Sequence, residues 1–483
     1  MTATPSPAQL LAQIVKTYDV RGLVGSQLTA EIVEAVGASF ADEVQAAGHD
    51  LVVGHDMRDS SPEFAAAFSR GATARGANVV ALGLCSTDES YFASGWLDAP
   101  AAMFTASHNP ASYNGIKLSR AGARGISLDT GLANIRDRAM GYLDDDIPQA
   151  AEQGTIRQLD VLADYAGYLR RLVDLSGIRP LKVVVDAANG MGGLTVPAVL
   201  GTAAALAQLP LEIVPLYFEL DGTFPNHEAN PLEPANLVDL QKAVVEHGAD
   251  IGLAFDGDAD RCFVVDERGD AVTPSAVAAI VALREIARVR AEGEQGDIHV
   301  IHNLIVSRIV PETIEAAGAI PVRTRVGHSL IKDEMAATGA IFGGEHSGHY
   351  YFRDFWGADN GMLAAMHVLA ELGGADSSLS GLAAEFSPYA MSGEINSTVD
   401  DVPGAYTRIV DAFSGIADFD EFDGLTVTGI TAEDEPFWWF SVRPSNTEPL
   451  LRLNVEAATR GQMERVRDQV LGLIRGGEAE ASA

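Results

Sequence analysis

Apolar runs of five to seven residues recur along the chain and alternate with Ala-rich stretches of helical periodicity. They include LVVGHD (51–56), NVVALGL (78–84), LKVVVDA (181–187), LEIVPLY (211–217), IGLAF (251–255) and IHVIHNL (298–304). Runs this short, apolar on both faces and separated by helices, predict parallel α/β units. In such sheets functional groups gather beyond the carboxyl ends of the strands. The polar, Gly-rich stretches do follow those ends: SHNP, DAANGMGG, DGDADR and VGHS. Several similar units suggest repeated domains, although no repeat is visible in the residues themselves.

The last hundred or so residues have a different pattern. DGLTVTGI, FWWFSVRP and LLRLNVEA are β-rich and close together, and TRGQMERVRDQVLGLIR behind them has helical spacing. That order predicts an antiparallel sheet with a packed helix, a separate α+β module. With boundaries near 155, 269 and 385, the expected domains are 1–155, 156–269, 270–385 and 386–483, three α/β and one α+β. The terminal GGEAEASA is expected to be disordered.

Composition narrows the function. The chain carries 33 Lys+Arg against 67 Asp+Glu, a net charge of −34, which excludes the basic footprint of a nucleic-acid binder. No apolar run approaches the length needed to span a bilayer. The N-terminus, MTATPSPAQLLAQIVKTYDVRG, lacks a basic start followed by an apolar core, so no secretory signal is expected. Cys85 and Cys262 are the only cysteines, too few for a disulfide framework or a zinc cluster, and a cytoplasmic location is expected. Anionic metabolites are repelled at long range, though salt screens this beyond about 8–10 Å. A phosphorylated substrate therefore needs cations concentrated locally.

Four stretches carry chemistry. In FTASHNP (104–110) Ser107 and His108 are adjacent; on a strand they would face opposite ways, so they can cooperate only in irregular backbone, which Pro110 supplies. A turn in which Ser107 and Asn109 cap the next element is the plainer alternative. FDGDADRCFVV places Asp256, Asp258 and Asp260 at alternate positions after an apolar strand. Carboxylates this close repel unless a cation sits among them, and Mg²⁺ suits few protein ligands best. A calcium EF-hand is excluded even though Glu267 occupies its twelfth position, because Arg261 stands where that loop requires Gly. GGEHSGHYYF (343–352) pairs Glu345 with Ser347, an acceptor and a hydroxyl suited to a polyol; a structural turn would look similar. RPSNTEPLLRL (443–453) gathers Arg443, Ser445, Asn446 and Thr447 on a tight turn, with Arg452 on the next strand, as a phosphate cradle; a hairpin with one surface ion pair is the alternative.

TASHNP, DGDADR, GEHSGH and RPSNTEP, in this order and at these separations, closely resemble the α-D-phosphohexomutase superfamily, nearest its bacterial phosphomannomutase/phosphoglucomutase group. YDVRG (18–22), VGHDMRDSSPEF (53–64), YNGIK (113–117), DGTFPNHEANPLEPANL (221–237) and RTRVGHS (323–329) extend the resemblance over essentially the whole chain. It implies four domains in a heart-like arrangement and a phosphoserine at Ser107. It also implies Mg²⁺ held by Asp256, Asp258, Asp260 and the Ser107 phosphoryl group, with Arg261 as a fixed cation. His108 and Lys117 would be the acid/base candidates, with Arg21 beside them. Glu345 and Ser347 would hold sugar hydroxyls, while Arg443, Ser445, Asn446, Thr447 and Arg452 take the phosphate and Gly327 and His328 line the same cleft.

The implied reaction is reversible conversion of mannose 6-phosphate to mannose 1-phosphate, and of the glucose pair, through hexose 1,6-bisphosphate. Two departures stand out: Ile305 in HNLIVS, near a position where relatives carry lysine, and His346, where many carry methionine. A phosphoglucosamine mutase is the alternative within the family. A phosphatase working through a phosphoserine is the alternative outside it, disfavoured because no G-x-S-x-G elbow surrounds Ser107. The expected partners are hexose phosphates, with no nucleic acid and no membrane, for a monomer or homodimer.

Overall fold

The computed structural model describes residues 5–430, 436–444 and 450–476, and the backbone alone for His328 and Ser329. Residues 477–483, most of the GGEAEASA tail, lie outside the described residues, as do Ser445, Asn446 and Thr447. The described residues form four sheets, of seven, five, five and six strands in chain order.

The first three sheets share one plan. In the second, Ile251–Phe255, buried on both faces, lies parallel to Leu181–Asp186, which lies parallel to the edge strand Leu211–Leu216. On its other side Ile251–Phe255 pairs antiparallel with Cys262–Asp266. The third sheet repeats this: Phe342–Gly344 is parallel to His299–Asn303 and antiparallel to Tyr350–Phe352. In the first, Ala101–Phe104 is parallel to Asp50–His55 and antiparallel to Tyr113–Arg120.

The three sheets are mixed, as the expected mixed α/β domains allow: Ile251–Phe255, Phe342–Gly344 and Ala101–Phe104 each have a parallel neighbour on one side and an antiparallel one on the other. Loop length is the reason. A parallel return needs a crossover of a dozen or more residues. Only residues 105–112, 256–261 and 345–349 are available between the strands concerned, so the chain turns straight back. Each chemical motif of these three domains is therefore the tip of a hairpin at the carboxyl end of an inner strand. The three tips occupy equivalent places in three similar sheets.

The fourth sheet is wholly antiparallel, with Trp438–Pro444 between Leu425–Gly429 and Leu450–Ala457, and the helix Arg460–Arg475 packed on it. Its apolar cluster, from Val399 to Ile474, is its own. Residues from each of the first three domains, Val52 through Ala383, instead merge into one continuous core. The first three domains are cemented together, and the fourth is built as a separate body.

Candidate active site

The Ser107 loop is a tight irregular turn. Ser107 itself has φ +48°, a left-handed conformation that L residues avoid. Its N–H donates to Thr105 Oγ1 at 2.9 Å, and its Oγ donates to Asp256 Oδ2 at 2.7 Å. The two loops dock closely because residue 257 is glycine: a Cβ there would lie 2.4 Å from the Ser107 carbonyl oxygen. Arg261 spans the same contact, donating through Nε to Asp256 Oδ2 (2.9 Å) and through Nη2 to His108 Nδ1 (2.7 Å). His108 Nδ1 lies 3.3 Å from Ser107 Oγ.

The three aspartates are buried, and each offers one oxygen within 4.8 Å of the others. Lys117, from the strand Tyr113–Arg120, donates to Asp258 Oδ2 (2.7 Å) and Asp260 Oδ2 (2.5 Å). The second oxygens, Asp258 Oδ1 and Asp260 Oδ1, are buried with no hydrogen-bond partner among the described residues. A buried carboxylate oxygen is not normally left bare, so this donor set fits a hard divalent ion.

Charge is finely divided here. Burial raises the Asp256 pKa, against Arg261. Asp258 is just as buried, yet the Lys117 ammonium and the Thr87 hydroxyl outweigh that burial and hold it below the usual carboxylate range. Burial opposes charge on Lys117 too, but Asp258 and Asp260 push its pKa well above normal. Burial, with Arg261 and Arg21 adding to it, keeps His108 neutral.

The sugar loop meets the metal loop directly. Gly348 turns at φ +84° against the ring of Phe263, which a Cβ would strike at 2.5 Å. Glu345 is buried and accepts from Tyr351 Oη at 2.8 Å, with Asn303 Nδ2 at 3.4 Å. Ser347 Oγ lies 2.9 Å from His349 Nδ1, and His349 Nε2 is 3.7 Å from Asp260 Oδ1.

Arg21 donates to Asn109 Oδ1 (2.6 Å) and Asp19 (2.7 Å). A cleft of about 380 Å³ is lined by Lys16, Tyr18, Arg21, Ser107, His108, Lys117, Arg261 and His349. A larger recess of about 1020 Å³ elsewhere, edged by Glu31, Glu34 and Asp144, has none of this chemistry.

Gly327 precedes the helix His328–Thr338, and the neighbouring Val326 N–H donates to Asp423 Oδ2 at 3.0 Å. Arg443 also donates to Asp423 Oδ2, at 3.1 Å, so one carboxylate joins the third and fourth domains. Arg452 is Arg443's cross-strand partner and lies 3.6 Å from Glu394. Tyr18, at the cleft, feels both Glu345 and Arg452.

Sequence reasoning did not single out Thr87, Tyr351 or His349 for a role. Thr87 Oγ1 donates to Asp258 Oδ2 at 2.6 Å, and Thr87 N to the Asp258 carbonyl at 3.1 Å. His349 alone carried a signal, the second histidine of GEHSGH.

Three α/β domains on one plan and an antiparallel module with its own core make up the architecture of a multidomain phosphosugar mutase. The chain belongs to the phosphoglucomutase/phosphomannomutase family, whose α/β/α domains I, II and III match residues 12–140, 163–269 and 273–389, and whose C-terminal domain matches 394–473. It is 39% identical over 467 residues to phosphohexose mutases of Xanthomonas campestris pv. campestris, covering 95% of this chain and 99% of the relative. To the phosphomannomutase/phosphoglucomutase of Pseudomonas aeruginosa it is 34% identical, over 96% of each chain. A solved phosphoglucomutase/phosphomannomutase family protein from Burkholderia thailandensis superposes with a TM-score of 0.83 at 30% identity, covering 98% of both chains. The family and the four-domain architecture are those expected from the motifs. No helix among the described residues is long and apolar enough to cross a membrane.

Proposed function

We propose that this isomerase interconverts mannose 6-phosphate and mannose 1-phosphate, and the corresponding glucose phosphates, through a phosphoserine at Ser107 and a hexose 1,6-bisphosphate. The observation that carries this reading is the 2.7 Å contact between Ser107 Oγ and Asp256, beside two bare carboxylate oxygens. The printed names of the relatives in Xanthomonas and Pseudomonas support the reaction class.

In the first half-reaction the Ser107 Oγ–P bond breaks as phosphorus bonds to a sugar oxygen; the sugar hydroxyl gives up its proton and the serine oxygen gains one. In the second, the P–O bond at the other end of the bisphosphate breaks as phosphorus bonds to Ser107 Oγ; the serine hydroxyl gives up its proton and the freed sugar oxygen gains one. Asp256, Asp258 and Asp260 would hold Mg²⁺, which supplies positive charge against the phosphoryl oxygens. Arg261 adds a fixed cation beside Ser107. His108 and Lys117 are the candidates for proton transfer; both line the cleft, with His349 beside them. A dianionic phosphoserine beside His108 raises that ring's proton affinity, so the acceptor is primed only when the donor is loaded.

Glu345 and Ser347 orient the sugar hydroxyls, and Arg443, Ser445, Asn446, Thr447 and Arg452 receive the standing phosphate, with Gly327 and His328 lining the same cleft. The bisphosphate turns between half-reactions, so either end can reach Ser107. Its escape or hydrolysis must be prevented meanwhile, and the fourth domain, with its own core, closes over the cleft as a unit.

A coupled assay comparing mannose 1-phosphate, glucose 1-phosphate and glucosamine 1-phosphate, with Mg²⁺ and a trace of hexose 1,6-bisphosphate, tests the reading. Turnover of the first two, with intact mass showing stable phosphate on Ser107, is expected. Exclusive use of the amino sugar would move the assignment to phosphoglucosamine mutase. Inorganic phosphate as the main product would make it a phosphatase.

A further inference from the structure

Two segments take no part in this scheme, GHDMRDSSPEF (54–64) and DGTFPNHEANP (221–231), yet they meet behind the Ser107 loop. Arg58 is 2% exposed, and all five of its guanidinium N–H groups are engaged. Nη2 donates to the carbonyls of Ser107 (2.8 Å) and Asn109 (2.7 Å), and Nη1 to those of Pro110 (2.9 Å) and Tyr113 (3.0 Å). Nε donates to Asp56 Oδ2 at 3.2 Å. Asp56 is itself fixed by the Arg58 N–H (3.1 Å) and Ser61 Oγ (2.6 Å). From the second domain, Phe224 lays its ring 5.1 Å from the guanidinium carbon. Gly222 presses so close that a Cβ would stand 2.7 Å from Arg58 Cα.

Burying a guanidinium is expensive unless every donor is used. Here three of the five donors grip main-chain carbonyls of the loop that carries Ser107, and a fourth grips that of Tyr113, where the next strand begins. Ser107 sits at φ +48°, a backbone conformation that is unfavourable for an L residue and persists only where surrounding contacts over-determine it. One of the gripped carbonyls is that of Ser107 itself. We propose that Arg58, roofed by Phe224, is a positioning residue that clamps this loop in the conformation setting Ser107 Oγ against Asp256, and so governs the rate of phosphoryl transfer without touching substrate. The inference rests on Ser107 being the phosphoryl carrier.

Arg58→Lys keeps the charge and at most three donors but loses the planar fork. Phe224→Leu keeps all five hydrogen bonds and removes the ring. Both are compared with wild type as full-length protein loaded with glucose 1,6-bisphosphate, by kcat, KM, intact mass and thermal midpoint. Arg58→Lys is expected to lower kcat about 10²-fold, the loss that an ångström of misplacement brings, with KM within about threefold of wild type. Phe224→Leu is expected to lower kcat about 5–10-fold with KM unchanged, as a cation–π contact of ~1 kcal/mol implies. A folded Arg58→Lys with kcat within threefold of wild type, or with its loss confined to KM, overturns the clamp. If that variant does not fold, an unchanged kcat in Phe224→Leu overturns it, and a lowered kcat at an unaltered thermal midpoint supports it. Ser107→Ala is run alongside: activity surviving there overturns the phosphoserine reading, and the clamp with it. An inactive Ser107→Ala together with a fully active Arg58→Lys sinks the clamp alone.

Discussion

Ser107 Oγ donates to Asp256 Oδ2 across 2.7 Å, a contact between residues 149 apart in the chain. A phosphoryl group on that oxygen replaces a donated proton with negative charge facing a carboxylate. Arg261, 2.9 Å from the same Asp256 oxygen, partly offsets the repulsion, and a divalent ion among the aspartates removes the rest. On the proposed function, loading of Ser107 and metal binding would therefore reinforce each other.

Ser107→Ala is expected to reduce turnover at least ~10³-fold while sugar-phosphate affinity stays near that of wild type, because the lost interaction belongs to the transition state. Steady-state kinetics and calorimetric titration with mannose 1-phosphate check this. Near-normal turnover would refute the role given to the serine.

Lys117 neutralises Asp258 and Asp260 at once. Lys117→Met leaves two buried carboxylates facing each other, and breaking a buried pair costs on the order of 3–5 kcal/mol. Melting in EDTA should drop by several degrees, and Mg²⁺ should recover much of the loss by taking over the charge. A melting curve that Mg²⁺ shifts no more in the variant than in wild type would contradict this.

The strands were legible because they are buried on both faces; every residue of Ile251–Phe255 is an example. Their directions were not, since periodicity says nothing about neighbours, and the brevity of the 256–261 loop decides the antiparallel return. The aspartates announced themselves through alternation alone. Thr87 did not, because it reaches Asp258 across 171 residues and a domain boundary, leaving no local pattern. Tyr351 reads as an ordinary strand residue until its hydroxyl is seen on Glu345. Arg443 was legible as a cation, but its engagement by Asp423 was not.

Thr87 and Lys117 share Asp258 Oδ2 and leave Oδ1 without a hydrogen-bond partner among the described residues, one defined oxygen for the proposed ion. Partners behind a metal ligand typically matter by about 10–100-fold in affinity or activity. Thr87→Val should therefore raise the Mg²⁺ concentration needed for half-maximal activity by about tenfold, with KM for the sugar unchanged. Thr87→Ser should restore it. Mn²⁺ binding followed by electron paramagnetic resonance gives the same comparison without turnover, and an unaltered affinity in Thr87→Val would dismiss the residue as packing.

The last expectation concerns pH. Asp88 and Glu89 are buried at the start of the helix Thr87–Trp96, where Tyr165 from the second domain donates to Asp88 at 2.5 Å and itself accepts from Asn360 of the third. Burial pushes Asp88 up to about 7 and Glu89 up to about 8, against the hydrogen bonds from Ser86 and, for Asp88, Tyr165. Unfolded carboxyls titrate near ~4, so between there and neutrality the folded chain holds protons that the unfolded chain has released. The resulting stability is complete below about pH 4, declines as pH rises from there, and is gone once pH has passed through the folded values of about 7 and about 8. Asp88→Asn keeps an acceptor for Ser86 and leaves the Tyr165 hydroxyl free to reverse its bond, but it removes one of these titrations. At saturating Mg²⁺ the melting temperature of the variant, relative to wild type, should climb from pH 5 to about pH 7 and level off above it. A difference that stays flat over that range would mean that Asp88 is ionised throughout, and that the junction of the three domains holds a charge rather than a proton.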